Sequence, residues 1–353
     1  MLLVTWEGGG NVPPLGVLAA GLAGRGHDVQ VLGPPGPMEA RFAAEGIAYR
    51  ASEATQPWRS EAHRELAEEV RSAGADVAVV DYMQPPALCG AEAAGIPVVA
   101  FVHTLFRDLS PIGMAADVDG TNALRDALGL APVHALTDLV ERAPLVLVTT
   151  LQELDRPDVV PANVHYVGPL VEGPGPDAGW RPPGDPSDGP LAVVSMGTTP
   201  MGEAPVVQRL LDALDGAALR VLVTLGPHLR ADEVTAPANA TLAGYLRHAA
   251  VLPHADLCVN HAGLGTIGAA LTYGVPLVCL PLGRDQPANA EAVTAVGAGR
   301  VLPADAPGDR IRATVLEVLE DDACRRTVAR LADDIRAADG ATAAVEAVEA
   351  LVR

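Results

Sequence analysis

The chain contains no lysine: all 24 of its basic residues are arginine, set against 44 Asp and Glu. This excludes a lysine Schiff base and the lysine of a phosphate-binding P-loop. The net charge of −20 sets the surface against the phosphate backbone of a nucleic acid, so no nucleic-acid partner is expected. Aromatic residues are only 3% of the 353 positions, which leaves Ala, Val and Leu to build the cores. Cysteine is scarce too. Cys89, Cys258, Cys279 and Cys324 form no C-x-x-C pair, and none stands near a histidine at zinc-ligand spacing. Cys258 and Cys279 sit in apolar runs and read as buried free thiols. No apolar run approaches the roughly 20 residues of a membrane span, and the first residues read as a strand with no basic leader. The expectation is a soluble, cytoplasmic protein with no membrane span.

What is present is an alternation of short apolar runs with helical patterns. The length suits about two domains, each able to bury a core. Leu2–Trp6, Val29–Leu32, Asp76–Asp81, Pro97–Val102 and Leu145–Thr149 read as buried strands. Leu15, Leu18 and Leu22 recur at helical spacing between the first two, and helical patterns cover Ala62–Arg71 and Pro86–Ala94. Residues 173–190 (GPGPDAGWRPPGDPSDGP) are rich in Pro and Gly without apolar periodicity, and read as a linker. The rhythm then restarts with strands at Leu191–Met196, Arg220–Leu225, Asp256–Asn260, Pro276–Leu280 and Arg300–Leu302. The fold class expected is α/β: two Rossmann-like parallel-sheet domains facing each other across a cleft. Their bounds are 1–172 and 191–353. Val345, Val348 and Val352 share a face of the last helix, which can pack back on the first domain.

Three loops at strand ends hold candidate chemistry. Glu7-Gly8-Gly9-Gly10-Asn11 joins a strand to a helix but is not G-x-G-x-x-G. The second strand ends in Leu32-Gly33-Pro34, with no carboxylate for a ribose hydroxyl, so a nicotinamide site is disfavoured. A tight glycine turn with Asn11 as helix N-cap accounts equally for this loop. Asn260-His261-Ala262-Gly263-Leu264-Gly265-Thr266 says more. Its glycines permit close backbone approach, and helix amides, the Thr266 hydroxyl and the His261 imidazole can converge on an anion such as a diphosphate. In Pro281-Leu282-Gly283-Arg284-Asp285-Gln286, the carboxylate beside an amide suits sugar hydroxyls, although a helix cap explains the pair as well.

The stretch Tyr245–Leu302, with H-A-G-x-G-T and P-x-x-x-D-Q-x-x-N-A, resembles the donor-binding half of family 1 glycosyltransferases, GT-B enzymes that decorate bacterial and plant natural products. The resemblance extends to Leu191–Thr199 and, more weakly, to the first half through G-N-V-P-P and Gly95-Ile96-Pro97. It implies that His261, Gly263, Leu264, Gly265 and Thr266 hold a nucleotide diphosphate, with Gly197 and Thr198 reaching the same phosphates. It implies that Asp285 and Gln286 hold the sugar. Leu246 and His248, within Tyr245-Leu246-Arg247-His248, stand where the family packs the nucleobase, uracil or thymine. Arg and Tyr here replace the Pro and Trp of many members. The family needs neither metal nor cofactor, since the nucleotide sugar is a co-substrate. The acceptor pocket is expected around Gly10, Trp58, Met83, His103–Leu109 with Phe106, and Ile112–Met114.

The departure lies at the general base. Many members carry a Gly-His in the first loop, and this chain carries Gly10-Asn11. An amide takes no proton at neutral pH. Asp81 resembles the Asp that partners the missing histidine, and His103 follows the next strand. The favoured assignment makes Asp81 the base with Asn11 as a positioning group; His103 is the substitute, and an acidic acceptor is a third route. The function expected is inverting transfer of a sugar from a TDP- or UDP-sugar to a small hydrophobic acceptor. The alternatives are a non-catalytic activating partner of another glycosyltransferase, which the missing histidine allows, and a nucleotide-sugar 2-epimerase, which would want a cluster of carboxylates and bases that is not evident. Small molecules are the expected partners, and a homodimer remains compatible.

Overall fold

In the computed structural model the described residues are 1–56, 59–109 and 117–352; Trp58 and Ile112–Met114 lie outside them. The chain divides into two units, Met1–Leu170 with Ala338–Arg353, and Val171–Ala337.

Runs of Val, Leu and Ala build the first unit's sheet because such residues fill both faces of a strand covered by helices. Its strands are β1 (Leu2–Val4), β2 (Gln30–Gly33), β3 (Ala48–Ala51), β4 (Ala78–Asp81), β5 (Val98–Val102), β6 (Leu145–Val148) and β7 (Val164–Tyr166). They run in the order β3-β2-β1-β4-β5-β6-β7. All neighbours are parallel, with β1 between β2 and β4: Leu3 lies opposite Val31 on one side and Val79 on the other. Successive side chains go to opposite faces. Leu2, Val4, Ala78 and Val80 join one buried cluster with the helices His63–Arg71 and Pro85–Ala94. Leu3, Val77, Val79 and Phe101 join the other with the helix Val12–Gly24.

The last helix joins the first unit, as the face bearing Val345 and Val348 allows, so the second unit ends at Ala337 and not at the chain's end. Ala344, Val345 and Val348 of the helix Gly340–Ala350 are buried in the same cluster as Leu15 and Leu18. Glu349 accepts from His27 at 2.9 Å and from Arg25 at 3.0 Å. The approach is close enough that a Cβ on Gly340 would lie 1.8 Å from the Val167 carbonyl oxygen.

The second unit's strands are β8 (Leu191–Ser195), β9 (Arg220–Thr224), β10 (Ala240–Ala243), β11 (Leu257–Asn260), β12 (Leu277–Cys279) and β13 (Gly299–Val301), parallel and in the order β10-β9-β8-β11-β12-β13. The Pro/Gly-rich stretch is not a free spacer. The Asp177 carboxylate accepts the Arg247 backbone N–H at 3.0 Å, Trp180 lies 5.9 Å from His254 between ring centroids, and Arg220 donates to the carbonyls of Gly189 and Pro183. It forms only two short 3-10 turns, Gly175–Gly179 and Pro186–Asp188, yet its carboxylate, indole and carbonyls give it partners on this unit. Among the described residues no helix is long and apolar enough to cross a membrane.

Gly90 tests the packing of the first unit. A Cβ there would meet the Ala67 carbonyl oxygen at 2.2 Å and Ala67 Cα at 2.8 Å, so two helices touch backbone to backbone. Gly90→Ala is expected to lower stability by about 1–3 kcal/mol, the usual scale of overpacking. A urea midpoint equal to that of the wild type would contradict this contact.

Candidate functional site

In an open parallel sheet, ligands bind outside the carboxyl ends of the strands where the strand order reverses. The second sheet reverses between β8 and β11. Gly197 follows β8, His261 follows β11 and Asp285 follows β12, so one crevice gathers all three loops.

The His261 ring is seated between two glycines. A Cβ on Gly197 would stand 2.5 Å from its Cε1, and one on Gly263 would stand 2.5 Å from its Nε2. Gly197 also has φ +95°, which other residues adopt at a cost. Nδ1 of His261 is buried and makes no well-formed hydrogen bond among the described residues, while the Ser195 backbone acts on the ring as a hydrogen-bonding neighbour. Burial pushes the imidazole below its ordinary pKa. Ala262 carries φ +66°, a conformation costing a non-glycine residue about 1 kcal/mol or more. It is held from both sides: Asn260 Oδ1 accepts its N–H at 2.7 Å, and Asn289 Nδ2 donates to its carbonyl at 3.0 Å. The helix Leu264–Thr272 then begins at Gly263. Leu264 and Thr266 are buried, whereas Gly265 is exposed at the first turn, where helix amides favour an anion. Thr198 is half-buried beside Gly197.

His248 Nε2 lies 3.4 Å from Ser195 Oγ at the end of β8, and burial, then the nearby His261, pushes its pKa down to about 4. Leu246 is half-buried and Tyr245 exposed, while the Arg247 guanidinium turns to the Gly173 carbonyl. Asp285 is exposed and accepts Asn289 Nδ2 at 2.8 Å. Gln286 departs from the expected pair of open side chains. It is buried; its Oε1 accepts the N–H groups of Leu282 and Gly283, and its Nε2 reaches Met201 Sδ at 3.0 Å. The amide closes its own loop.

The first sheet reverses between β1 and β4. Asn11 follows β1, Asp81 ends β4 and His103 follows β5. Asn11 stands at the N-cap, yet its side chain caps nothing. Its Nδ2 donates to Asp81 Oδ2 at 2.9 Å, to the Trp6 carbonyl at 2.8 Å and to Thr5 Oγ1 at 3.0 Å, while its Oδ1 accepts Gly8 N–H. Asp81 Oδ1 accepts Met83 N–H at 3.0 Å and meets His103 Nε2 at 3.3 Å. Asp81 is 0% exposed. Both of its oxygens are engaged, which argues against the expectation that it takes a proton from an acceptor directly. The His103 side chain keeps 11% exposure and packs its ring 5.3 Å from that of Tyr82.

Of the residues expected around an acceptor, Gly10 is exposed with open space where a Cβ would be, Phe106 is half-buried and Met83 is buried beside Asp81. The loop carrying His103 and Phe106 is fixed by Asp155, which the sequence does not single out. This buried carboxylate accepts the N–H groups of Phe106 and Arg107 at 2.7 and 3.2 Å and the Tyr166 hydroxyl at 2.5 Å. Asn260 and Asn289 were missed as well. Both are legible in hindsight, one directly before His261 and the other one helical turn after Asp285.

Two parallel sheets, each reversing order beneath its candidate loops, define a GT-B architecture. Residues 208–351 match the family described as erythromycin biosynthesis protein CIII-like, C-terminal domain, and residues 15–118 match Glycosyltransferase Family 4. The chain is 28% identical over 316 residues to 4'-demethylrebeccamycin synthase of Lentzea aerocolonigenes, covering 79% of this chain and 74% of that protein. Among solved structures, the glycosyltransferase of kitacinnamycin superposes with a TM-score of 0.83 at 24% identity, covering 99% of this chain and 98% of the other. The glycosyltransferase VinC in complex with dTDP does so at 0.77 and 18%, covering 99% and 98%. Further relatives are named mycarosyl- and rhamnosyltransferases, and the chain spans 41% and 52% of their lengths. Together these likenesses support a glycosyltransferase of the natural-product type on a GT-B fold.

The two depressed imidazoles set a pH dependence. Unfolding returns His248 from about 4, and His261 from its lowered value, to the ordinary value near 6.5. The unfolded chain therefore binds more protons in that window, and stability falls as pH drops from about 6.5 towards 4. Thermal melts should show this fall, with a shallower slope in His248→Gln. Identical slopes would contradict burial of neutral His248.

Proposed function

We propose that the protein is an inverting, metal-independent hexosyltransferase-type enzyme. It moves a sugar from a TDP- or UDP-sugar to a hydroxyl of a small hydrophobic natural product. The observation that carries this reading is the seat of His261. An imidazole held between Gly197 and Gly263 beside the start of a helix is a site suited to an anion. The chemistry asked of it is modest. As the bond from the anomeric carbon to the diphosphate breaks, charge collects on the leaving oxygen. Helix amides and an imidazole N–H stabilise that charge without reorganising. The exposed Asp285 is the group for sugar hydroxyls, and the bound dTDP of VinC supports thymine as one base. A second reading, a non-catalytic partner of another transferase, is favoured by Asn11 standing in place of a base. The seat of His261 weighs against it, since a helper has no physical need for a diphosphate site.

His261→Ala is expected to weaken binding of TDP or UDP by about 1.5–3 kcal/mol, the scale of a charge-assisted hydrogen bond. Gly197→Ala should weaken it too, by displacing the ring. Unchanged affinity by calorimetry in both variants would sink the assignment.

Asp285→Ala should lose turnover while retaining affinity for the bare nucleotide diphosphate. Equal losses for nucleotide and nucleotide sugar would move Asp285 out of the sugar site.

A further inference from the structure

The Pro/Gly-rich stretch has a carboxylate whose partner lies in the second unit's own ligand loops. We propose that Asp177 is a positioning residue of the nucleotide site: it holds the turn Tyr245–His248 in place for the nucleoside half of a nucleoside diphosphate. This inference rests on the glycosyltransferase reading above and concerns the second unit alone.

Arg247 is held at both backbone and side chain. Its N–H donates to Asp177 Oδ2 at 3.0 Å. Its carbonyl accepts Ala250 N–H at 3.0 Å, which opens the short helix His248–Val251. Its guanidinium donates to the Gly173 carbonyl at 3.4 Å and lies against Gly175, where an added Cβ would stand 2.6 Å from Nη1. Gly175 has φ +51°, so a larger residue there would both strain the backbone and displace the guanidinium. Asp177 is itself preset by the 3-10 turn Gly175–Gly179: its N–H donates to the Pro174 carbonyl at 3.0 Å, and its own carbonyl accepts Trp180 N–H at 2.9 Å. Just past the short helix, His254 meets Trp180 at 5.9 Å between ring centroids. The stretch is thus strapped across both ends of that helix.

The turn so held borders the anion crevice. His248 Nε2 lies 3.4 Å from Ser195 Oγ at the end of β8, and its ring is close enough to His261 to feel its charge. At the other end of the turn, Tyr245 is 49% exposed and Leu246 half-buried. An exposed aromatic ring near a phosphate crevice offers a face to a flat base. Gly244–Arg247 belong to neither β10 nor the short helix, so no ladder of their own fixes them. Contacts from outside the turn have to place that ring, and the Asp177 carboxylate supplies one at the residue where the turn enters the helix.

The backbone of Arg247 shows what the bond accomplishes. Its φ is −66° and its ψ 137°, an extended conformation at the value a proline ring imposes. A proline would hold that φ covalently and would bring no N–H to satisfy. An arginine is free to leave it and does bring one. Accepting that N–H, Asp177 does both tasks: it satisfies the donor and keeps the residue where a proline would stay unaided. Carboxylate and pyrrolidine ring are two solutions to one constraint, so either makes the other unnecessary.

The test is a double-mutant cycle read by ligand affinity. TDP, UDP and inorganic pyrophosphate are titrated into the full chain by calorimetry. Asp177→Ala should weaken whichever of TDP and UDP the wild type binds by about 5–30-fold, the factor by which one hydrogen bond shifts an equilibrium. Pyrophosphate has no nucleoside, so its affinity should stay unchanged. Asp177→Asn keeps an acceptor oxygen and should bind nucleotide as the wild type does. In an Arg247→Pro background, Asp177→Ala should have no further effect. Hydrogen exchange at the Arg247 amide should be slow in the wild type and in Asp177→Asn, and at least about tenfold faster in Asp177→Ala. Wild-type nucleotide affinity in Asp177→Ala overturns the proposal. So do equal losses of nucleotide and pyrophosphate, or an equal loss in the Arg247→Pro background. A wild type that binds neither TDP nor UDP would instead overturn the glycosyltransferase reading, while exchange at Arg247 still decides whether Asp177 holds the turn.

Discussion

A carboxylate with no access to water must be given its hydrogen bonds by the protein, and the chemistry of the first unit is arranged around that requirement at Asp81. The residue ends a strand buried on both faces, so no solvent reaches it from the sheet. Its partners come from three different strand ends, Asn11 after β1, Met83 just beyond β4 and His103 after β5. Satisfying one buried charge therefore fixes three loops relative to one another. It also gives the asparagine of the first loop a role. Asn11 supplies a donor to the carboxylate and an acceptor to Gly8, and so keeps the first loop closed without carrying chemistry.

The second unit meets a related problem with a different device. His261 is mostly buried, and its Nδ1 makes no well-formed hydrogen bond among the described residues. An unmade hydrogen bond at a buried group costs on the order of 1–3 kcal/mol. The left-handed Ala262 adds strain next to it. Asn260 and Asn289 hold that strained turn by side-chain bonds to its N–H and its carbonyl. Asn289 also donates to Asp285, so the loop expected to touch phosphate and the loop expected to touch sugar are tied through one amide. A turn kept rigid at local expense is what preorganisation for an anion requires.

How much of this could be read from the sequence follows from burial. The central strands β1, β4, β5, β6, β8, β11 and β12 are apolar on both faces and announce themselves as continuous runs. The strands that do not are β3, β7 and β10, three sheet edges, where half-exposed stretches such as Ala48–Ala51 and Ala240–Ala243 leave no such run. The His261 loop was legible because its glycines and helix start are consecutive. The role of Gly197 was not, because the ring it accommodates lies 64 residues away. The bonding of Gln286 was not legible for a related reason: two residues of the loop before it, Leu282 and Gly283, present N–H groups that only the folded turn brings to its oxygen. The last helix changes units because Val345 and Val348 find the Leu15–Leu18 face, and apolar periodicity states that a helix has a buried side without stating against what.

The composition from which the sequence is first read returns here as a constraint on the site. On the proposed reading, a protein with 44 acidic residues and no lysine binds an anionic nucleotide diphosphate against its own net charge of −20. Long-range attraction is unavailable to it, so the affinity has to come at contact distance. Neutral donors do this well: helix amides, a hydroxyl and an imidazole whose protonated form is disfavoured by burial. Their stabilisation falls off within a few ångströms, and it is greatest where the developing charge is closest. The fixed charges at this loop, Arg284 against Asp285 and Glu203, are of mixed sign, and all three reach the imidazole. Discrimination then depends on where the leaving oxygen sits and little on how much charge the ligand carries, which suits a site that must hold a diphosphate more tightly as its bond to the sugar breaks.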